Sequence, residues 1–211
     1  MAKFITLEGS EGAGKSTQLQ RLTEFLKTQD VPVYFTREPG GTVIGDKVRD
    51  ILHDVAHTEM DAVTEILLYS ASRAQLVAEV VKPKLAQGIH VICDRYADST
   101  LAYQGYGRRL DKKMLQMITR FATQSLVPDM TLYLDVPIDI GLQRREHAYQ
   151  TEGGEMNRMD QQKVEFYHRV RDGYLQMAQA DPQRWVVVDA RPSLEAVQQN
   201  IRQIVCDALE I

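Results

Sequence analysis

Short apolar runs alternate along the chain with longer segments in which apolar residues recur every three or four positions. The short runs are typical of buried strands and the longer segments of amphipathic helices. Strands that alternate with helices indicate an α/β fold, in which a parallel sheet carries helices on both faces. We place strands at residues 4–8, 33–36, 90–94, 131–135 and 184–189. We place helices at residues 16–29, 44–53, 61–87, 112–124, 138–147, 161–180 and 193–210.

Polar and glycine residues mark the ends of several predicted elements. Asp61 and Ser193 stand where helix N-caps belong, and Gly88 closes the long helix before a buried strand. The polar stretch 146–160 contains Gly153-Gly154 and lies between two predicted helices. We interpret it as a mobile segment within one domain of residues 1–211 and not as a domain boundary.

Composition narrows the class of protein. The 211 residues suffice for one domain with a substantial core, and 44% are apolar and 26% charged. A net charge of −4 gives no overall reason to expect nucleic acid or membrane as a partner. We expect neither a membrane span nor a secretory leader. Cys93 and Cys206 are far apart and form no metal-binding pattern, which suits a reducing cytoplasm.

A phosphate-binding loop follows the first strand. Its residues fit the pattern G-x-x-x-x-G-K-[ST], and the loop opens the first helix, as the motif requires. Glycines allow backbone N–H groups to converge on phosphate oxygens, and the helix N-terminus adds partial positive charge. Lys15 is expected at the β- and γ-phosphates of ATP, and the Ser16 hydroxyl on Mg²⁺. The candidate ATP ligands are Gly9, Ser10, Glu11, Gly12, Ala13, Gly14, Lys15, Ser16 and Thr17.

A second chemical signal ends the third predicted strand, where Asp94 precedes Arg95. Ligands in open parallel sheets bind beyond the carboxyl ends of the strands. Asp94 is therefore a candidate to serve Mg²⁺, and Arg95 to direct its charge at phosphate. The chain has no Asn-Lys-x-Asp motif for reading guanine, which argues against a GTPase.

Arginines near strand ends and helix starts indicate the acceptor: Arg37, Arg49, Arg73 and Arg95. Guanidinium forks suit a dianionic phosphate. A nucleoside monophosphate needs no general base, because its phosphate is already nearly doubly ionised at neutral pH. A neutral hydroxyl would need a carboxylate base, and Glu11 or Glu38 could be that base, so a hydroxyl acceptor remains an alternative. Tyr69 and Arg73 lie one helical turn apart and suggest a nucleobase pocket.

Three stretches together resemble the motifs of the bacterial thymidylate kinase family, in order and spacing. They are Thr36-Arg37-Glu38-Pro39-Gly40-Gly41-Thr42, Leu67-Leu68-Tyr69-Ser70-Ala71-Ser72-Arg73, and Asp94-Arg95-Tyr96 with Ser99-Thr100-Leu101-Ala102-Tyr103-Gln104-Gly105. The resemblance continues through Pro128-Asp129 and Leu132-Tyr133-Leu134-Asp135. It implies a P-loop NTPase-type three-layer fold with a five-stranded parallel sheet, and transfer of phosphate from MgATP to dTMP, giving dTDP.

The resemblance also implies roles for single residues. Glu11 would check the sugar 3′-hydroxyl, and Arg37, Arg49 and Arg95 would hold the acceptor phosphate with support from Glu38. Tyr69 stands where the family usually has phenylalanine and would stack on thymine, although its hydroxyl needs a partner. Arg73, Thr100 and Gln104 would bind the polar edge of the base.

One distinction within the family concerns the catalytic cation. Some members carry an arginine in the phosphate loop where this chain has Gly12, whereas others supply it from a lid. The lid here is expected at about residues 141–159, and its candidate cations are Arg144, Arg145 and Arg158. The family forms homodimers by helix packing, and the long predicted helix 61–87 is a candidate for that face.

Two alternatives remain open at this point. A deoxynucleoside kinase would share the loop and pocket but would act on thymidine itself. A non-catalytic ATP-dependent switch would bind ATP without turnover, although Lys15, Ser16 and Asp94 argue against it.

Overall fold

A computed structural model describes residues 1–152 and 158–211. These residues form a five-stranded, fully parallel sheet in the order β2-β3-β1-β4-β5. The strands are β1 (Phe4–Glu8), β2 (Val33–Arg37), β3 (His90–Asp94), β4 (Met130–Asp135) and β5 (Trp185–Asp189). The structure confirms the α/β class and all five strands, each boundary lying within one residue of its expected position.

Helices connect successive strands. They are α1 (Lys15–Lys27), α2 (Val43–His53), α3 (Ala62–Leu76), α4 (Lys82–Ala86), α5 (Ala97–Thr100), α6 (Lys112–Ala122), α7 (Ile138–Glu152), α8 (Val164–Ala180) and α9 (Leu194–Leu209). A π-helical segment, Val77–Val81, joins α3 to α4, so the long helix expected over 61–87 exists with a widened turn inside it. A second π-helical segment, Leu101–Gly107, continues α5.

Three expectations about helices were wrong. No helix was expected over residues 97–107, where α5 continues into Leu101–Gly107. Helix α7 continues to Glu152, so part of the polar stretch 146–160 is helical. Helix α8 begins at Val164 and not at residue 161, after a short 3₁₀ turn at Arg158–Gln161. The Gly153-Gly154 pair lies outside the described residues.

The predicted caps are confirmed. The Asp61 carboxylate accepts a hydrogen bond from the backbone N–H of Val63 at 2.8 Å, and the Ser193 hydroxyl accepts one from Ala196 at 3.3 Å. Gly88 follows α4 with a φ of 77°, a left-handed conformation that suits glycine. Within the described ranges, no helix is long and apolar enough to cross a membrane.

The alternation of side chains along β1 separates the two faces of the core. Ile5 and Leu7 pack with the apolar sides of α1 and α9. Phe4 points to the opposite face, against the π-helical segment after α3. Glu8 shares that opposite face and lies under the cleft described below. Period-two alternation on a strand covered by helices on both faces therefore produces the three-layer arrangement.

Candidate functional site

A cleft of about 840 Å³ opens beyond the carboxyl ends of the strands. Such a position is where ligands bind in open parallel sheets. The cleft brings together most of the candidate residues: Glu11, Gly12, Ala13, Gly14, Lys15, Ser16, Thr17, Arg37, Glu38, Arg49, Tyr69, Arg73, Asp94, Arg95, Thr100, Gln104, Arg144 and Arg145. Gly9, Ser10 and Arg158 do not line the cleft.

The phosphate loop is shaped as a cradle. Gly14 has a φ of 82° and precedes the first residue of α1, so the N-terminus of that helix faces the cleft. The Lys15 ammonium donates hydrogen bonds to the carbonyl oxygens of Gly9 at 2.9 Å and Ser10 at 3.3 Å. Burial, followed by the charge of Arg95, lowers the pKa of Lys15 to about 8. The loop is thus a positively polarised site that suits an anion.

Oxygen atoms suited to a magnesium ion stand beside the loop. Oδ1 of Asp94 is buried and has no hydrogen-bond partner among the residues that the structure describes. Ser16 is exposed to the cleft at the start of α1. A carboxylate and a hydroxyl are hard oxygen ligands, and Mg²⁺ commonly uses few of these together with phosphate oxygens and water. The two side chains therefore fit a magnesium ion.

Arg95 occupies the centre of the cleft in a left-handed backbone conformation, with a φ of 66°. Such a conformation costs a non-glycine residue about 1 kcal/mol, so it indicates a local constraint. The guanidinium donates to Glu11 at 3.0 Å and to the Tyr103 hydroxyl at 2.8 Å. Tyr103 in turn donates to the other oxygen of Glu11 at 2.9 Å. Arg95 is thereby held rigidly next to the phosphate loop.

Two further arginines flank this centre. Arg37 is exposed and pairs with Asp46 at 3.0 Å, and Arg49 donates to the Pro39 carbonyl at 3.1 Å. With Arg95 they contribute three arginine side chains to the lining of the cleft. Guanidinium forks suit a phosphate dianion, and that role stays a prediction for these residues.

Glu38 and Arg73 form a buried ion pair at 2.7 Å. Burial raises the pKa of Glu38 to about 7, although Arg73 opposes the shift. The second carboxylate oxygen of Glu38 is buried and accepts no hydrogen bond from the described part of the chain. Glu38 therefore orients Arg73 and retains one oxygen for a further partner.

The far end of the cleft is suited to a planar ligand. Arg73 donates to the Thr100 hydroxyl at 2.9 Å, and Thr100 and Gln104 both line the wall. Tyr69 is half-buried at the same end, and burial raises its pKa to about 12, so the hydroxyl stays protonated. None of the described residues forms a hydrogen bond with this hydroxyl. They therefore do not supply the partner that the hydroxyl of a tyrosine at this position was expected to need.

The three lid arginines have different surroundings. Arg144 donates to the Ala190 carbonyl at 2.8 Å, and Arg145 pairs with Asp160 at 3.0 Å. Both line the cleft. Arg158 is buried and is ion-paired with Glu65, and it also donates to the Leu52 carbonyl at 3.1 Å. Arg158 thereby bridges α2 and α3 behind the end of the cleft that Thr100 and Gln104 line.

Sequence reasoning missed three residues that shape the site. Tyr103 stands inside a motif that we recognised, yet no role was assigned to it. His53 lines the cleft at the end of α2, and burial together with Arg49 lowers its pKa to about 4. Glu65 is fully buried in α3. A lone His or Glu on a helix carries no local signal, because its partners come from distant parts of the chain.

Comparison with known proteins agrees with this geometry. The family model described as "Thymidylate kinase" matches residues 7–201. Thymidylate kinase from Roseiflexus sp. is 50% identical, covering 97% of this chain and 94% of the relative. Thymidylate kinase from Roseiflexus castenholzii is 51% identical, covering 97% and 93%. A crystal structure of thymidylate kinase from Ehrlichia chaffeensis aligns with a TM-score of 0.77 and 32% identity, covering 97% of this chain and 98% of that one. The chain belongs to the thymidylate kinase family.

Proposed function

We propose that this protein transfers the γ-phosphate of ATP to dTMP, giving ADP and dTDP, a step in making dTTP for DNA. The observation that carries the proposal is that the phosphate loop and the arginine-lined end open into one cleft. Two anionic reactants can meet there while cations surround both of them. Such catalysis depends on positioning and charge neutralisation and needs no base on the acceptor.

Each group has a task in this reaction. Arg95, Arg37 and Arg49 bind the acceptor phosphate and bring its oxygen in line with the γ-phosphorus. Lys15 contacts the β- and γ-phosphates. Its ammonium exchanges the carbonyl oxygens of Gly9 and Ser10 for phosphate oxygens. Glu11, which is fixed by Arg95 and Tyr103, accepts a hydrogen bond from the deoxyribose 3′-hydroxyl.

Ser16 and Asp94 would hold Mg²⁺, and the ion would supply positive charge that offsets the negative charge of the phosphates during transfer. The orphaned Oδ1 of Asp94 supports this assignment, because a buried carboxylate oxygen without a partner is costly. We assign the metal role to these two side chains on that ground.

Among the lid candidates, we assign the catalytic cation to Arg145. Its charge interacts with that of Glu11 beside the phosphate loop, whereas Arg144 reaches the carbonyl of Ala190 after β5. Closure of residues 141–159 as a lid would bring Arg145 onto the transferring phosphate and exclude water. We expect Arg145→Met to lower kcat far more than Arg144→Met does. Equal losses in the two variants would contradict the assignment.

The test of the function is ADP release from MgATP by the purified protein, with dTMP, dUMP, dCMP, dAMP, dGMP and free thymidine compared as acceptors. We expect turnover to depend on dTMP and thymidine to be silent. Turnover with thymidine would identify a deoxynucleoside kinase, with Glu11 or Glu38 as the base. Tight ATP binding without any turnover would identify a switch protein and refute the proposal.

We also propose that the protein is a homodimer. Helix α3 contacts both α2 and α6, and these three helices expose apolar side chains on their outer surfaces. The exposed residues are Val43, Ile44, Ile51, Val63, Leu67, Met117 and Phe121. Phe121 is 88% exposed, which is unusual for a phenylalanine unless another molecule covers it. A symmetric dimer buries the same patch on both copies.

Light scattering of the purified protein, together with the variant Phe121→Glu, tests the dimer. We expect twice the chain mass for the wild type and a monomer for the variant at low micromolar concentration. A wild-type monomer would refute the proposal. We also place the enzyme in the cytoplasm, because Cys93 and Cys206 are both free thiols, which suits a reducing compartment.

A further inference from the structure

The carboxylate of Glu65 is the centre of a buried polar cluster behind the base end of the cleft. Glu65 lies on α3 and its side chain is fully buried. It accepts two hydrogen bonds from Arg108, at 2.7 and 2.8 Å, and one from the Gln104 amide nitrogen at 2.8 Å. Arg158 completes the cluster. Neither Glu65 nor Arg108 lines the cleft, so Glu65 can act on a ligand only through a residue that does, and Gln104 is such a residue.

Glu65 is ionised at neutral pH. Burial raises the pKa of its carboxyl, but the hydrogen bonds and charge of Arg108 outweigh burial and hold the pKa below its ordinary value. An ionised carboxylate can only accept hydrogen bonds. Gln104 must therefore turn its NH₂ group towards Glu65 and its carbonyl oxygen away from it.

The carbonyl oxygen of Gln104 is presented to the cleft. Gln104 lines the cleft, and none of the hydrogen bonds among the described residues ends on this oxygen. Fully buried side-chain oxygen atoms without a partner do occur in this structure, but the Gln104 oxygen is not one of them. It is thus an acceptor that a ligand can reach, and its orientation is set from behind by Glu65.

Thr100, one helical turn before Gln104, has the opposite polarity. Arg73 donates to its hydroxyl oxygen at 2.9 Å, and Arg73 is itself held by Glu38. A guanidinium cannot accept, so the Thr100 O–H proton is left to donate elsewhere. The wall therefore offers a fixed acceptor at Gln104 and a donor at Thr100.

A pyrimidine with a 4-keto group has an N3–H donor next to an O4 acceptor, whereas a 4-amino pyrimidine has an N3 acceptor next to an NH₂ donor. We propose that Glu65 is a positioning residue that locks the Gln104 amide in the orientation that accepts from N3–H, and so makes the pocket select dTMP over dCMP. The proposal rests on the proposed function. A freely rotating amide would accommodate either base, because its two ends differ only in polarity.

The test compares equilibrium dissociation constants for dTMP and dCMP, and inhibition of dTMP turnover by dCMP, in the wild type and in Glu65→Met. Methionine has a similar volume and cannot hold the amide. In the wild type, the N3 acceptor of dCMP would face the fixed carbonyl oxygen of Gln104, and the variant removes this penalty. We expect the ratio of the dCMP to the dTMP dissociation constant to fall by about tenfold or more. ATP affinity should stay unchanged. An unchanged ratio would overturn the proposal.

Arg108→Lys is the matched control. It loses the paired hydrogen bonds of the guanidinium but keeps a positive charge beside the same carboxylate, and it leaves the Gln104 contact and the pairing with Arg158. We expect lower thermal stability with an unchanged dCMP:dTMP ratio. If both variants reduce the ratio equally, loosening of the cluster explains the effect and the proposal fails.

A measurement on the wild type stands even if Glu65→Met does not fold. Nitrogen-15 NMR should show the Gln104 NH₂ group coupled through its hydrogen bond to the Glu65 carboxyl carbon, both in the free enzyme and with dTMP bound. Contacts between these NH₂ protons and the bound base would overturn the proposal. A wild type that binds no dTMP would instead refute the proposed function, whereas a wild type that uses dTMP with an unlocked amide would refute only this inference.

Discussion

Replacement of Arg95 by methionine tests the centre of the proposed mechanism. Arg95 has a side chain that is 18% exposed and is fixed by Glu11 and Tyr103, so its charge is already placed before substrate arrives. Methionine keeps much of the aliphatic length and packing but removes the guanidinium. The variant should therefore fold and lose one preorganised phosphate contact.

The expected loss follows from the burial of the contact. Removing one member of a desolvated, hydrogen-bonded charge pair costs about 2 to 5 kcal/mol. Since about 1.4 kcal/mol is a factor of ten, kcat/KM for dTMP should fall by roughly 30-fold to several thousand-fold. Arg95→Lys keeps the charge without the two-pronged fork and should fall between wild type and methionine. Arg37→Met should lose less, because Arg37 is exposed and already paired with Asp46.

The assay is coupled ADP release with dTMP varied at saturating MgATP, with ATP affinity measured separately by equilibrium binding. ATP affinity should stay close to wild type, because the proposed mechanism gives Arg95 the acceptor phosphate and leaves the phosphates of ATP to Lys15 and the loop. Thermal melting of each variant controls for folding. Unchanged kcat/KM in Arg95→Met, or a loss that appears wholly in ATP affinity, would refute the assignment of Arg95 to the acceptor phosphate.

Three further predictions concern other groups in the cleft. The Lys15 pKa of about 8 should rise when phosphates surround the ammonium, so ATP binding near pH 8.5 should take up a proton and weaken as pH rises. Calorimetry in buffers of different ionisation enthalpy measures the proton uptake. Zero uptake at pH 8.5 would contradict this prediction. His53, with a folded pKa of about 4 and an ordinary value near 6.5, favours the neutral form in the fold. The contribution of His53 to the free energy of unfolding is therefore fully present above pH 6.5 and is lost as pH falls towards 4. The loss should be about 1 to 2 kcal/mol after solvent screening of the half-buried ring. Urea unfolding should show that acid lowers the free energy of unfolding less in His53→Gln than in the wild type. Tyr69→Phe removes a hydroxyl for which the described residues supply no partner, so the dissociation constant for dTMP should stay equal or fall; a tenfold rise would show that the hydroxyl bonds the ligand.

Local sequence signals predicted the sheet and the phosphate loop because both depend on neighbours in the chain. Apolar runs bounded by polar turns predicted β1 and β3, and the spacing of glycines before Lys15 predicted the phosphate loop. The helix that continues α5 through Leu101–Gly107 gave no such signal. It contains two glycines and packs on α8, where a Cβ at Gly107 would lie 2.5 Å from the Phe166 ring. Close tertiary contact, and not helix propensity, maintains that segment.

The roles of buried charges were the least predictable part of the site. Glu65 and Arg158 are 93 positions apart, and each on its own has the pattern of a solvated helix residue. Arg158 was a lid candidate because it belongs to the expected lid, yet its buried pairing with Glu65 gives it a structural task in this conformation. Pairings of this kind depend on how helices pack, so a single sequence carries no record of them.

The contact between the phosphate loop and α7 explains why the two sources of a catalytic cation are alternatives. A Cβ at Gly12, where some family members have arginine, would lie 1.8 Å from the carbonyl oxygen of Gly141. Gly12 also has a φ of 69°, which disfavours any side chain. Because the first turn of α7 occupies the space that an arginine at position 12 would need, Arg144 and Arg145 follow on the next turn of that helix at the cleft. The close approach that leaves no room for an arginine at position 12 is therefore the same contact that positions α7, the helix that we propose supplies the cation.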